Sequence, residues 1–122
     1  MTQAAPKIVL IVDDDPAILG VIKSQLEFEG WAVLTVSTGA EAIEAARTTR
    51  LAAVLLDLGL KDADGLDVLA RIHAVKPGLA IIIVTGNHQE SEGRRAFEMG
   101  ATDYVTKPID FKYLKSILLL QS

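Results

Sequence analysis

Three apolar runs without alternation stand out along the chain: Ile8-Val9-Leu10-Ile11-Val12, Ala52-Ala53-Val54-Leu55-Leu56 and Leu79-Ala80-Ile81-Ile82-Ile83-Val84. Continuous runs of this length suit strands buried on both faces, as in a parallel sheet flanked by helices. Trp31 to Val36, partly alternating, and Thr102-Asp103-Tyr104-Val105-Thr106 read as two further short strands. Between the strands the apolar period changes to that of a helix. Ile18, Leu19, Ile22 and Leu26 fall on one face, Asp15-Pro16 predicts an N-cap with proline in the first turn, and Gly30 ends the segment. Ser37-Thr38-Gly39 turns the chain into a helix to Arg47, whose face of Ala42, Ile43, Ala45 and Ala46 permits close packing. Leu66, Leu69 and Ile72 mark a third helix, ended by Pro77-Gly78. Gln89 to Met99 predicts a weak helix, with Gly93 inside it and few apolar residues. Asp110 caps a last one that turns Phe111, Leu114, Ile117 and Leu118 to the core. Strands alternating with helices across short loops predict right-handed crossovers and one doubly wound, five-stranded parallel α/β sheet with five helices.

Composition narrows the class. The 122 residues are 50% hydrophobic with a mean hydropathy of +0.33, enough to bury a core without disulfides. One domain over residues 1–122 is expected, with residues 1–6 a flexible N-terminus. No apolar run approaches the roughly 18 residues that cross a bilayer, and Met1 to Pro6 lacks the pattern of a secretory signal. The chain has 0 cysteines, which removes disulfides and thiolate metal sites and fits a cytoplasmic protein. A net charge of −4 and a pI near 5.1 leave no basic footprint for nucleic acid. Neither direct nucleic-acid binding nor membrane association is expected.

Polar residues then collect at the ends of the predicted strands: Asp13-Asp14 after the first, where Asp15 follows, Asp57 after the third, Thr85 after the fourth and Lys107 after the fifth. In open α/β sheets this rim is where ligands bind. Adjacent carboxylates repel, and a hard divalent cation such as Mg²⁺ relieves that repulsion while leaving sites for phosphate oxygens. A carboxylate can also act as nucleophile toward a phosphoryl group, a transfer that needs charge neutralisation more than proton chemistry. Asp57 is then the nucleophile, Asp14 with help from Asp13 holds Mg²⁺, and Lys107 and the Thr85 hydroxyl bind phosphoryl oxygens. Each residue alone has a plainer reading, as helix cap, strand-end hydroxyl, solvated lysine or turn residue. Three successive aspartates exceed what capping requires, and the joint placement favours the chemical reading. Asn87 beside Gly86 is also an ordinary turn residue. His73 and His88, separated by a strand and without a matching ligand set, are expected at the surface.

Five segments together resemble the receiver domain of two-component response regulators over essentially the whole chain. They are Val-Asp-Asp-Asp-Pro at 12–16, Leu-Leu-Asp-Leu at 55–58, Val-Thr-Gly at 84–86, Gly-Ala-Thr-Asp-Tyr at 100–104 and Thr-Lys-Pro at 106–108. The resemblance implies a flavodoxin-like fold with strand order 2-1-3-4-5. It implies that Asp57 accepts phosphate from a sensor histidine kinase or phosphotransfer protein, and that Asp13, Asp14, Asp57 and the Gly59 backbone carbonyl bind Mg²⁺. Thr85, Gly86 and Lys107 would bind the phosphoryl group. Thr85 and Tyr104 would be a switch pair that alters the surface of the fourth helix, fifth strand and fifth helix. The same face can support a homodimer, to which Arg94, Arg95, Asp103 and Lys112 would lend charge. It also implies a cis peptide at Lys107-Pro108.

One position departs from the pattern. Where such domains commonly carry proline four residues after the acceptor, this chain has Lys61, between Gly59 and Gly65. A freer loop is expected there. Two rival readings share the chemistry. A haloacid-dehalogenase-type phosphatase would use Asp13 as nucleophile and Asp15 as general acid, but needs a further acidic pair that Thr85-Gly86-Asn87 does not offer. A receiver-like interaction module that is never phosphorylated would have no need of so full a set of chemical residues. The apolar Leu118-Leu119-Leu120 before Gln121-Ser122 suggests a domain cut from a longer protein or one with a short end.

Overall fold

The computed structural model describes residues 7–86 and 90–121. Strands β1 (Ile8–Val12), β2 (Ala32–Val36), β3 (Ala53–Leu56), β4 (Ala80–Thr85) and β5 (Asp103–Thr106) alternate with helices α1 (Pro16–Phe28), α2 (Gly39–Thr48), α3 (Gly65–Val75), α4 (Glu90–Glu98) and α5 (Phe111–Leu120). The strands form one sheet in the order β2-β1-β3-β4-β5, every pairing parallel. Asn87, His88 and Gln89 lie outside the described residues, as do Met1 to Pro6 and Ser122.

Burial on both faces explains the unalternating runs. Leu10, Val12, Val54, Leu56, Ile81 and Ile83 point into a core closed by Ala42, Ala45 and Ala46 of α2, Val68, Leu69 and Ile72 of α3, and Ala96 of α4. Their chain neighbours Val9, Ile11, Ala53, Leu55, Ile82 and Val84 point the other way, against Ile22 and Leu26 of α1 and Leu114, Ile117 and Leu118 of α5. Each buried Val, Leu or Ile among them contributes roughly 1.5–3 kcal/mol by leaving water. Central strands β3 and β4 are buried throughout, whereas β2, at the edge, is only half-buried and tolerates the polar Thr35.

Asp15 and Asp110 cap their helices as expected, and Thr38 and Asp64 cap two more. The side chain of Asp15 accepts from the Ala17 N–H, that of Thr38 from Glu41, that of Asp64 from Leu66 and that of Asp110 from Lys112 and Tyr113. Gly30, past the end of α1, has φ +94°, the left-handed region that favours glycine. Helix and strand ends differ from the sequence reading by one residue in several places. The one that matters is Thr85, the last residue of β4, held in the ladder where Lys107 N–H donates to its carbonyl at 2.8 Å.

His73 corrects an expectation. It is half-buried, its Nδ1 is buried with no hydrogen-bond partner among the described residues, and its ring lies against Gly100. A Cβ at Gly100, which has φ +113°, would sit 2.6 Å from the ring. The glycine that turns α4 into β5 therefore also makes room for His73. No described helix is long and apolar enough to cross a membrane.

Candidate functional site

Parallel register brings the polar strand ends together. Val12 stands opposite Leu56, and Leu56 opposite Ile83, so Asp13 and Asp57 leave neighbouring strands side by side. Both are buried, at 3% and 7% exposure, although each ends an apolar strand. β4 runs two residues further than its pairing with β3, which lifts Thr85, 3% exposed, to the same rim. Thr106 pairs with Thr85, and Lys107 follows it. The Lys107-Pro108 peptide is cis.

Charge is concentrated there. Oxygens of Asp13, Asp14 and Asp57 lie within 4.8 Å of one another. The Lys107 ammonium donates to Asp13 Oδ2 at 3.0 Å and to Asp57 Oδ2 at 3.4 Å. Main-chain donors take other oxygens: Gly59 N–H reaches Asp57 Oδ1 at 2.9 Å, Asp15 N–H reaches Asp13 Oδ1 at 2.9 Å, and Lys61 N–H reaches Asp14 Oδ2 at 2.8 Å. Burial pushes the Asp57 carboxyl above its ordinary value, the Asp13 charge adds to this, and the Gly59 N–H and Lys107 oppose it. Burial works against the Lys107 ammonium, but its hydrogen bonds and attraction to Asp13 and Asp57 prevail and raise it. Two of the three carboxylates share one ammonium, Asp14 has none, and all the ligand atoms are hard oxygens. The set fits a divalent cation of the Mg²⁺ kind.

The expected site residues thus separate into a cluster and its surroundings. Asp13, Asp14 and Asp57 are in mutual reach, Lys107 bonds Asp13 and Asp57, Thr85 shares the rim, and Gly59 and Gly86 are exposed beside them. Tyr104 is half-buried one position before Val105, its ring beside Gly93 of α4, where an added Cβ would meet it at 3.5 Å. Arg94, Arg95 and Lys112 are exposed, while Asp103 accepts the Tyr113 hydroxyl at 3.1 Å within the chain.

The loop through Lys61 is not free. Besides the Lys61–Asp14 bond, the Asp62 carboxylate accepts the Gly39 N–H at the start of α2 at 3.0 Å, and Leu60 is buried. Gly65 packs so closely on the Leu58 backbone that a Cβ would lie 2.4 Å from it. The physical reason is that lysine has an N–H where proline has none. Sequence reasoning missed this donor, and Asp62, because neither bond follows from side-chain type. The proline position itself was the available signal.

The profile of the response regulator receiver domain matches residues 9–119. The probable transcriptional regulatory protein TcrX of Mycobacterium tuberculosis is 37% identical over 107 residues, covering 88% of this chain and 46% of TcrX. This chain therefore spans less than half of that relative's length. A CheY-like receiver domain protein from Methanospirillum hungatei JF-1 superposes with a TM-score of 0.88 at 33% identity, covering 96% of this chain and 97% of that one. The receiver domain of a sensor histidine kinase from Pseudomonas aeruginosa PAO1, with a magnesium ion coordinated in its active-site cleft, gives 0.87 at 29% identity, covering 96% and 98%. The haloacid-dehalogenase-type reading of the aspartates does not account for this agreement of sequence and fold. With its strand order, its rim of buried carboxylates and a match over nearly its whole length, the chain belongs to the response regulator receiver domain family.

Proposed function

We propose that Asp57 is the phosphoryl acceptor, receiving the group from a phosphohistidine on a sensor histidine kinase or phosphotransfer protein. The observation that carries this reading is a buried carboxylate at the sheet rim, 3.4 Å from the Lys107 ammonium and crowded by Asp13 and Asp14. An Asp57 oxygen attacks phosphorus. The phosphorus–nitrogen bond breaks, its electron pair stays on the imidazole, and the imidazole takes a proton from water. Such a transfer asks mainly for positioning and for charges aimed at the phosphoryl oxygens. Lys107 supplies one, and the Thr85 hydroxyl and the Gly86 main chain, at the end of β4, would supply others. Asp13, Asp14, Asp57 and the Gly59 carbonyl would hold Mg²⁺, which when bound neutralises charge on the transferring group.

Thr85 and Tyr104 form the switch in this reading. Movement of the hydroxyl toward a phosphoryl group at Asp57 lets the Tyr104 ring shift against Gly93, and the surface of α4, β5 and α5 changes with it. That surface carries exposed Arg94, Arg95 and Lys112, and acts on a partner, an effector domain or a second copy of the chain. We place these events in the cytoplasm, where the nucleotide that loads a histidine kinase is available. The test is chemical. With Mg²⁺ and acetyl phosphate, borohydride trapping followed by digestion and mass spectrometry should find the reduced residue at position 57. A label at Asp13 with Asp57 unmodified, or no label, would overturn the assignment.

A further inference from the structure

We infer that the main-chain N–H of Lys61 is a positioning donor for the metal site, fixing the Asp14 carboxylate that the proposed function assigns to Mg²⁺, on which reading this inference rests. Asp14 Oδ2 accepts that N–H at 2.8 Å across 47 residues of sequence. Asp14 is less buried than Asp13 or Asp57, and neither Lys107 bond reaches it. Without the Lys61 donor its carboxylate would have water as its main partner and would turn freely between rotamers. With it, one oxygen is committed to the loop and the other is left for a cation.

The donor is itself held. Asp62, the next residue, is anchored to the Gly39 N–H at 3.0 Å, and Leu60, the preceding one, is buried at 8% exposure. Gly65 closes the loop on the Leu58 backbone. The Lys61 amide is thus fixed on both sides before any cation arrives. Ordering a ligand in advance lowers the entropy lost on binding, and the groups that hydrogen-bond a metal ligand commonly govern metal affinity. A proline at this position would have no hydrogen to give. The lysine side chain is not the functional part; any residue with an N–H supplies the contact.

Two variants separate these roles. Lys61→Pro deletes the N–H, whereas Lys61→Ala keeps it and removes the ammonium. Calorimetric titration with Mg²⁺, repeated with Mn²⁺ followed by electron paramagnetic resonance, should show a dissociation constant raised about tenfold or more in Lys61→Pro. Lys61→Ala should match the natural chain. Equal constants for Lys61→Pro and the natural chain overturn the inference. A natural chain that binds neither ion overturns the metal reading of the site as well, so the two failures are distinguishable. Proline also restricts Leu60, so a second measurement uses the natural chain with Mg²⁺ present. A through-hydrogen-bond coupling between the Lys61 amide nitrogen and the Asp14 carboxylate carbon, with slow exchange of that amide, is expected. Fast exchange and no coupling would overturn the inference whatever the proline variant does.

Discussion

Replacing Asp57 by Asn removes one of three carboxylates crowded within 4.8 Å and leaves Lys107 paired with Asp13. Because the folded-state pKa of Asp57 is raised above its ordinary 3.8, the native chain binds this proton more readily than the unfolded chain. The stability it contributes is therefore fully present below the ordinary carboxylate range and is lost as pH rises through the raised value. At neutral pH the ionised Asp57 is a net cost, which Asn does not carry. Asp57→Asn in chelator should be more stable at neutral pH by on the order of 1 kcal/mol, a few degrees in melting temperature. The advantage should shrink as pH falls through that raised value toward the ordinary one. A variant that melts below the natural chain at neutral pH would contradict this account. At this scale, side-chain chemistry was legible in the sequence: Asp13, Asp14, Asp57 and Lys107 meet as their types suggested. The Lys61 N–H was not, because a main-chain donor is common to nearly every residue. The burial of His73 was not either, because Gly100, which makes the space, comes from another element.

Two glycines show how element-level constraints differ. Gly65 opens α3 against backbone, and an added Cβ would lie 2.4 Å from Leu58 Cα, an atom that cannot turn aside. Gly93 lies within α4, and a Cβ there would meet the Tyr104 ring at 3.5 Å, an ordinary contact. Gly65→Ala should therefore lower stability by about 1–3 kcal/mol, as overpacking does. Gly93→Ala should raise it by about 0.5–1 kcal/mol through helix propensity. Urea midpoints at fixed slope would check both. A destabilised Gly93→Ala would mean that the Tyr104 ring needs the vacant space. Unalternating runs and cap residues made nearly every element readable in the sequence, since burial on both faces and the Asp15 and Asp110 caps are local effects. The β3–α3 loop was misread as free because its ties run to Asp14 and Gly39, far away in the chain.

Across the whole molecule, the site is a product of register. Parallel pairing of β1 with β3, β3 with β4 and β4 with β5 sets residues 94 positions apart within 3.0 Å of each other. A cation held by Asp13, Asp14 and Asp57 binds only the folded chain, so Mg²⁺ at about 100 times its dissociation constant should add about 2.7 kcal/mol of stability. Denaturant melts at increasing Mg²⁺, reversed by chelator, would measure this, and an unchanged midpoint would remove the cation from the site. Alternation of strands and helices made the layered sheet readable, but the strand order followed from resemblance to a family. Local periodicity does not say which strand neighbours which.

The split of charge along the chain has a consequence for biosynthesis. Asp13 and Asp57 both leave the ribosome before their ammonium partner, which follows Asp57 by 50 residues and arrives with the edge strand β5. At about 5–20 residues per second that interval is roughly 2.5–10 s. Throughout it, any pairing of β1 with β3 brings Asp13 and Asp57 together without the ammonium that joins them in the finished site. Self-repulsion then opposes closure of the β1–β3 rim, and the late arrival of Lys107 releases it. Synthesis of the last strand thus completes the electrostatics of the site as well as the sheet.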